Sequence, residues 1–305
     1  MEKQQGTAAL AEMLRQEALP CRQGEALCGH TSFKIGGAAG VFCEPETVPA
    51  LARTIELCGR CGVRRYLLGN GSNTLFADGG FDGAVISTLR LENHRIVIDG
   101  RTLHAGAGAA LSAVCLAAQK QGLDGLSFAY GIPGSVGGAV YMNAGAYGGE
   151  MRDVLCEVTF LDERLQLRTL PVGELALGYR TSVFEREPWC ILEASFSLRE
   201  GNPAAILASM QALMGRRRDK QPLELPSAGS TFKRPAGGYA GKLIEDCGLR
   251  GFAVGGAQIS TKHCGFVVNT GGATCADVVA LTDEVRRIVE EKTGFVLERE
   301  IRVVE

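Results

Sequence analysis

The residues best suited to chemistry in this chain are those that expose backbone. The stretch GIPGSVGGAVYMNAGAYGGE, Gly131 to Glu150, places seven glycines in twenty residues. Glycine loses the most chain entropy on ordering and buries no side chain, so this density predicts loops rather than a stable helix or strand. Such a backbone is rewarded by turns with positive φ and by close approach of N–H groups to a bulky ligand, often a phosphate. A second cluster, YLLGNGSNTLF, follows an apolar strand and offers Gly69, Asn70, Gly71, Ser72 and Asn73, which can turn through left-handed conformations and present donors to an anion. Read alone it is also an ordinary surface turn. The segment LHAGAGAALSAV has strand, Gly106-Ala-Gly108 and helix in the order of a dinucleotide turn, but Leu111 occupies the third small position and favours plain strand-on-helix packing.

Charged and nucleophilic side chains are scattered. Arg180 in GYRTS reads by itself as solvated or ion-paired, Ser230 in AGSTFKRP as a turn serine, and Glu300 as part of the polar face of a strand. Ser227 competes with Ser230 three residues earlier. The run RRRDK, Arg216 to Lys220, reads as the basic end of a helix. Cys58 and Cys61 form a lone CxxC with no second pair at zinc-ligand spacing, which favours helical core over metal, and no metal is expected.

These residues must be carried by a chain of 305 residues with 46% hydrophobic and 22% charged composition, an ordinary globular balance that excludes general disorder and suggests more than one domain. A formal net charge of −2 provides no basic field for nucleic acid or an anionic membrane. No run has the length of a membrane span and the N-terminus lacks the pattern of a secretory signal. Eleven cysteines, scattered through apolar segments, read as buried thiols of a reducing compartment, so a cytoplasmic location is expected.

The spacing predicts a helical leader around Ala8 to Arg15, then strand, turn, a helix over Val48 to Cys61 and another strand. A strand GAVIST, a hairpin HRIVIDGRTLHAGAG turning at Asp99-Gly100, and a helix ending before Gly122 follow. Strands DVLCEVTFLD, LQLRTL and CILEASFSL come next. A helix from Asn202-Pro203 to about Arg218, another from Asp277 to Lys292, and a strand FVLEREIRVV complete the chain, the strand burying Phe295, Leu297, Ile301 and Val303 on one face. This is α+β, divided as a leader 1–30, a domain 31–200 with lobes of about 31–89 and 90–200, and a domain 201–305.

TSFKIGG, LLGNGSNTLF, GIPGSVGGAVYMNAGAYGGE, LGYRTSVF, PSAGSTFKRP and LEREIR occur in one order from about Thr31 to Val303, and in this the chain resembles the UDP-N-acetylenolpyruvoylglucosamine reductase family, in particular its shorter subclass. The short span from Arg180 to Ser230 leaves no room for the longer subclass's tyrosine-bearing insertion. The resemblance implies an FAD-binding fold of the vanillyl-alcohol oxidase type, built from two α/β lobes, plus a C-terminal α+β substrate-binding domain. It implies noncovalent FAD held by Leu68, Gly69, Asn70, Gly71, Ser72 and Asn73 on one loop. Gly131, Gly134, Ser135, Gly137, Gly138, Asn143, Ala144 and Gly145 would hold it from the other.

The resemblance also implies Arg180, Ser230 and Glu300 as catalytic residues. Arg180 and Glu300 would stabilise charge on the substrate carboxylate, and Ser230 would donate a proton. Tyr147, Lys220 and Arg234 would meet substrate, Lys220 at a phosphate of substrate or NADPH. The implied reaction is NADPH-dependent reduction of UDP-N-acetylglucosamine enolpyruvate to UDP-N-acetylmuramate through FAD, in peptidoglycan precursor synthesis, by a monomer. Two rivals are an FAD-dependent alcohol or sugar oxidase of the same fold and a non-catalytic flavin-binding regulator. The joint presence of Arg180, Ser230 and Glu300 opposes the second.

Overall fold

A computed structural model of the chain describes residues 2–91 and 95–305. His94, which opens the anticipated hairpin, lies outside the described residues. The chain packs as two compact units whose segments interleave: Met1–Arg22, Val41–Asn70 and Gly83–Arg217 form the first, and Gln23–Gly40, Gly71–Asp82 and Arg218–Glu305 the second. This differs from the sequential division read from the sequence. The reason lies in pairing across the chain: the strand Thr74–Phe76 runs parallel to the C-terminal strand Arg302–Val304, with Thr74 opposite Arg302 and Phe76 opposite Val304.

The first unit has two cores. In one, the helix Val48–Arg60 lies against a sheet in the order Cys21–Gln23, Ala39–Cys43, Phe81–Ser87, Arg65–Leu68. Thr47 caps that helix by accepting from the Ala50 amide at 3.2 Å. Leu51, Ile55 and Cys58 on the helix meet Val41, Cys43, Ala84 and Ile86 of the sheet. The leader is part of this core rather than a separate piece, since Leu10, Ala11 and Leu14 of the helix Glu2–Gln16 are fully buried in it.

The other core lies on a five-stranded antiparallel sheet in the order Leu167–Pro171, Leu155–Leu161, Cys190–Ser197, Thr102–Gly106, Ile96–Asp99. Cys190–Ser197 serves both cores: Cys190 and Leu192 belong to the first and Ile191, Ala194 and Phe196 to the second, with a register shift between Ile191 and Glu193 changing the alternation. The helix Leu111–Lys120 adds Leu111, Val114, Cys115 and Ala118. The Asp99-Gly100 hairpin forms as the sequence predicts, with Asp99 opposite Thr102 and Gly100 at φ +56.

In the second unit an antiparallel sheet runs Ser227–Ser230, Phe266–Asn269, Ala257–Ile259, Ala253–Val254. The helix Cys275–Thr293 covers it with Val278, Leu281, Val285 and Val289 at helical spacing. It starts two residues earlier than Asp277 because Asp277 is the third helical residue of a capping box with Thr274, and it ends at left-handed Gly294. The last strand is shorter than predicted. Regular pairing is confined to Arg302–Val304, while Leu297 and Ile301 are buried as expected. Arg299, of the same parity, bonds Thr282 Oγ1 at 2.7 Å and Asp283 at 2.6 Å on that helix.

Candidate functional site

In the first unit the strand Arg65–Leu68 pairs in parallel with Phe81–Ser87 and delivers Leu68, Gly69 and Asn70 at its C-terminal end. Asn70 Nδ2 donates to the Pro133 carbonyl at 2.8 Å, which ties this turn to the Gly131 loop. The approach is close: a Cβ on Gly69 would lie 2.4 Å from Ser135 Oγ. The sequence reading excluded a helix in the glycine-rich stretch, yet Val136–Tyr141 forms one short helix. Buried Ser135 caps it, accepting from the Gly138 amide at 3.4 Å. Capping and packing of Val136, Ala139 and Val140 offset the weak helix propensity of Gly137 and Gly138.

The floor beneath this loop is the segment that failed as a dinucleotide turn. Leu111 N bonds Gly134 O at 3.0 Å, Val136 N bonds Ala109 O at 2.9 Å, and Gly137 N bonds Ala107 O at 2.8 Å. Gly108 is required by contact, since a Cβ there would lie 2.4 Å from the Thr88 carbonyl oxygen. Gly108 therefore supports this loop by close packing, a role the sequence reading missed. Its signal was a run of small residues with no surface role.

Asn143 is fully buried at φ +41, and both ends of its amide are used within the protein. Nδ2 donates to Gly178 O at 2.9 Å and Oδ1 accepts from Arg152 N at 2.9 Å. Its side chain thus ties the Gly178 carbonyl to the Arg152 amide. Gly178 and Thr181 bridge each other across a turn in which Arg180 holds φ +57. A left-handed arginine is costly and marks a side chain whose direction matters. Its Nη2 lies 3.3 Å from Gly145 O, so Arg180 and the Ala144-Gly145 wall come together.

Tyr147 and Gly148, both with positive φ, form the two-residue turn of a hairpin in which Gly149 faces Ala146. The exposed Tyr147 ring carries the Arg216 guanidinium, 5.0 Å from its centroid. Arg216, read from sequence only as a helix-end charge, joins the candidate site through that contact.

The second unit holds Gly71, Ser72, Asn73, Lys220, Ser230, Arg234 and Glu300. Gly71 sits at φ +60, where a Cβ would lie 2.2 Å from the His30 carbonyl oxygen. Asn73 Nδ2 donates to Glu300 O at 3.1 Å, and Glu300 N donates to Thr231 O at 2.8 Å. Asn73, Glu300 and the residue after Ser230 are thereby linked. Ser230 is exposed and opposite Phe266, after a register shift that includes left-handed Gly229. Ser227 precedes that shift, and its carbonyl accepts from Ser32 Oγ at 2.7 Å. Arg234 stacks over Tyr239 at 4.3 Å, and Lys220 is exposed at the end of the helix Pro203–Lys220. Glu298, the neighbour of Glu300 on the polar face, pairs with Lys233.

A family model described as an FAD binding domain matches residues 39–169, and one described as the C-terminal domain of UDP-N-acetylenolpyruvoylglucosamine reductase matches residues 221–304. The UDP-N-acetylenolpyruvoylglucosamine reductase of Lachnoclostridium phytofermentans is 46% identical over 298 residues, covering 97% of this chain and 96% of its own. The chain belongs to the UDP-N-acetylenolpyruvoylglucosamine reductase family. The Geobacillus kaustophilus reductase is 48% identical over 280 residues, 92% of this chain and 91% of its own. The crystal structure of the Thermus caldophilus reductase superposes with a TM-score of 0.82 at 34% identity, covering 94% of this chain and all of that one. This membership sets aside the oxidase and regulator readings. The fold is α+β, with an FAD-binding part and the C-terminal part of this reductase family.

The glycine loops fit a flavin dinucleotide. The amides of Gly69 and Asn70 in the first unit, and of Gly71 and Ser72 in the second, donate to no group among the described residues. No acidic side chain lies within Leu68–Asn73 or Gly131–Gly149 to repel a diphosphate. The thiols are packing groups. Burial pushes Cys58 up to about 11 and Cys115 up to about 12, which keeps both protonated.

Proposed function

We propose that Arg180 and Glu300 stabilise charge on the substrate and that Ser230 protonates it, while the two glycine loops hold FAD without a covalent bond. The reaction follows from family membership: NADPH-dependent, FAD-requiring reduction of UDP-N-acetylglucosamine enolpyruvate to UDP-N-acetylmuramate in peptidoglycan precursor synthesis. When bound, FAD would supply hydride chemistry between NADPH and the enolpyruvyl methylene carbon. Addition there leaves negative charge on the neighbouring carbon, spread into the carboxylate. A fixed guanidinium can hold that carboxylate bidentately as its charge grows, which is the task assigned to Arg180. Ser230 Oγ gives its proton to the charged carbon and recovers one from solvent.

The observation that carries this assignment is the linkage in the second unit, where exposed Ser230, beside a bulge, directly precedes Thr231, whose carbonyl accepts from the Glu300 amide. Tyr147, Lys220 and Arg234 are assigned to substrate, with Lys220 at a phosphate of substrate or NADPH. The cation–π contacts of Tyr147 with Arg216 and of Arg234 with Tyr239 support the assignment by fixing those side chains at exposed positions. The same reading takes the protein as a cytoplasmic monomer. Its cysteines are all free thiols, as a reducing compartment requires, and sedimentation checks the oligomeric state.

Ser230→Ala tests the proton assignment. FAD binding and flavin reduction by NADPH should stay near wild type, while reoxidation by substrate falls about 100-fold, the loss of a general acid. In deuterated water the product should gain deuterium next to the carboxylate, whereas deuteride from labelled NADPH appears at the methyl carbon. Full turnover in Ser230→Ala with loss in Ser227→Ala would move the role to the other serine.

A further inference from the structure

Arg217 lies between the two stretches matched by the family models and is the buried member of the RRRDK run, only 9% exposed. Its Nη1 donates to the Gly131 carbonyl at 2.5 Å, and its Nε is buried with no partner among the described residues. No carboxylate pairs with it among the described residues. The contact is tight on the loop side as well, since a Cβ on Gly131 would lie 3.0 Å from Arg217 Cδ and Nε. A guanidinium cannot shed its proton, so a buried one without a counter-ion is costly. Flanking residues make the contrast plain: Arg216 rests on an aromatic ring and Arg218 is exposed.

We infer that Arg217 is an anion anchor for the cofactor, with Nη1 fixing the Gly131 end of the glycine loop and its remaining N–H groups meeting a negatively charged oxygen of bound FAD. The loop contact orients the planar fork, and the ligand supplies the charge the protein omits. This chemistry has two sources within FAD, the diphosphate and the reduced ring, which carries negative charge only after reduction. The inference rests on the glycine loops as the FAD cradle, and FAD binding by the wild-type chain checks that reading separately.

Arg217→Gln removes the charge while keeping an N–H donor on a shorter side chain. Affinity for FAD, measured by titrating apoprotein with flavin, should fall by about 10- to 100-fold, the range of a lost charge-assisted hydrogen bond. Equal loss for oxidised and reduced FAD assigns the diphosphate; a loss confined to reduced FAD assigns the ring. The apoprotein should melt at the wild-type temperature or above, because an uncompensated buried charge has been removed. Two results overturn the inference. One is unchanged affinity in both redox states; the other is an apoprotein that melts lower or fails to fold, which makes Arg217 a structural tether.

Discussion

The two units prepare chemistry in opposite ways. In the first, the loops around Gly69, Gly108 and Gly137 work because side chains are missing, which lets neighbouring chain approach to distances no Cβ would allow. In the second, Ser230 and Glu300 are side chains displayed from strand-like pairing, with their main chains tied to neighbours through Phe266, Thr231 and Asn73. The difference teaches where damage should appear. Adding atoms harms the first kind of site, whereas removing atoms harms the second and leaves the fold intact.

Gly71 and Gly138 give the largest effect and the sharpest break in that contrast. Gly71 belongs to the second unit, yet it is a glycine of the first kind, left-handed and packed on the His30 carbonyl. Gly71→Val should therefore cost on the order of 3 kcal/mol or more and lower the melting temperature of apoprotein and holoprotein alike. At Gly138 the nearest atom to an added Cβ is Ser135 Oγ at 3.5 Å, an ordinary contact. Gly138→Val should fold normally and purify with less flavin per chain. A Gly138 variant with full flavin content would remove that residue from the cradle.

Arg180 combines both logics, a chemical side chain on a strained backbone. Arg180→Met should slow flavin reoxidation by substrate about 100- to 1,000-fold, with much less effect on reduction by NADPH. Arg180→Gly should lose the same activity while gaining roughly 1 kcal/mol of stability, because glycine adopts φ +57 freely. A less stable Arg180→Gly would show that the guanidinium contact with Gly145, rather than catalysis, retains the arginine.

The smallest effect concerns His263 in the second unit. Burial holds its pKa below the ordinary 6.5, with Arg250 and Lys220 acting in the same direction and Glu245 against it. Nδ1 accepts from the Gly265 amide at 3.0 Å, which the protonated ring cannot do. The folded state therefore favours neutral imidazole. Stability should be unaffected above pH 6.5 and should decline as pH falls from there toward the lower folded value. His263→Gln should flatten that part of the pH profile of the melting temperature, while a variant of exposed Lys120 in the first unit should leave it unchanged.

Much of this protein is legible in one dimension because local rules are short-ranged. The left-handed stop at Gly294, the Asp99-Gly100 hairpin and the buried Leu297 and Ile301 follow from residue type and spacing, whereas the capping box of Thr274 and Asp277 went unread and the helix start was placed two residues late. The glycine loops were equally visible, since only an unusual backbone explains seven glycines in twenty residues. Tertiary structure decided the rest. Thr74–Phe76 joins the second unit because its partner strand lies at the far end of the chain, and no local pattern names that partner. Asn143 offers a donor and an acceptor in sequence, and only the fold shows that they meet Gly178 O and Arg152 N. Arg217 is indistinguishable from Arg216 and Arg218 in the run, and only packing shows that it alone is buried on Gly131. Sequence fixes what a residue can donate, accept or tolerate in φ; which partner it meets, and whether water remains, depends on segments distant in the chain.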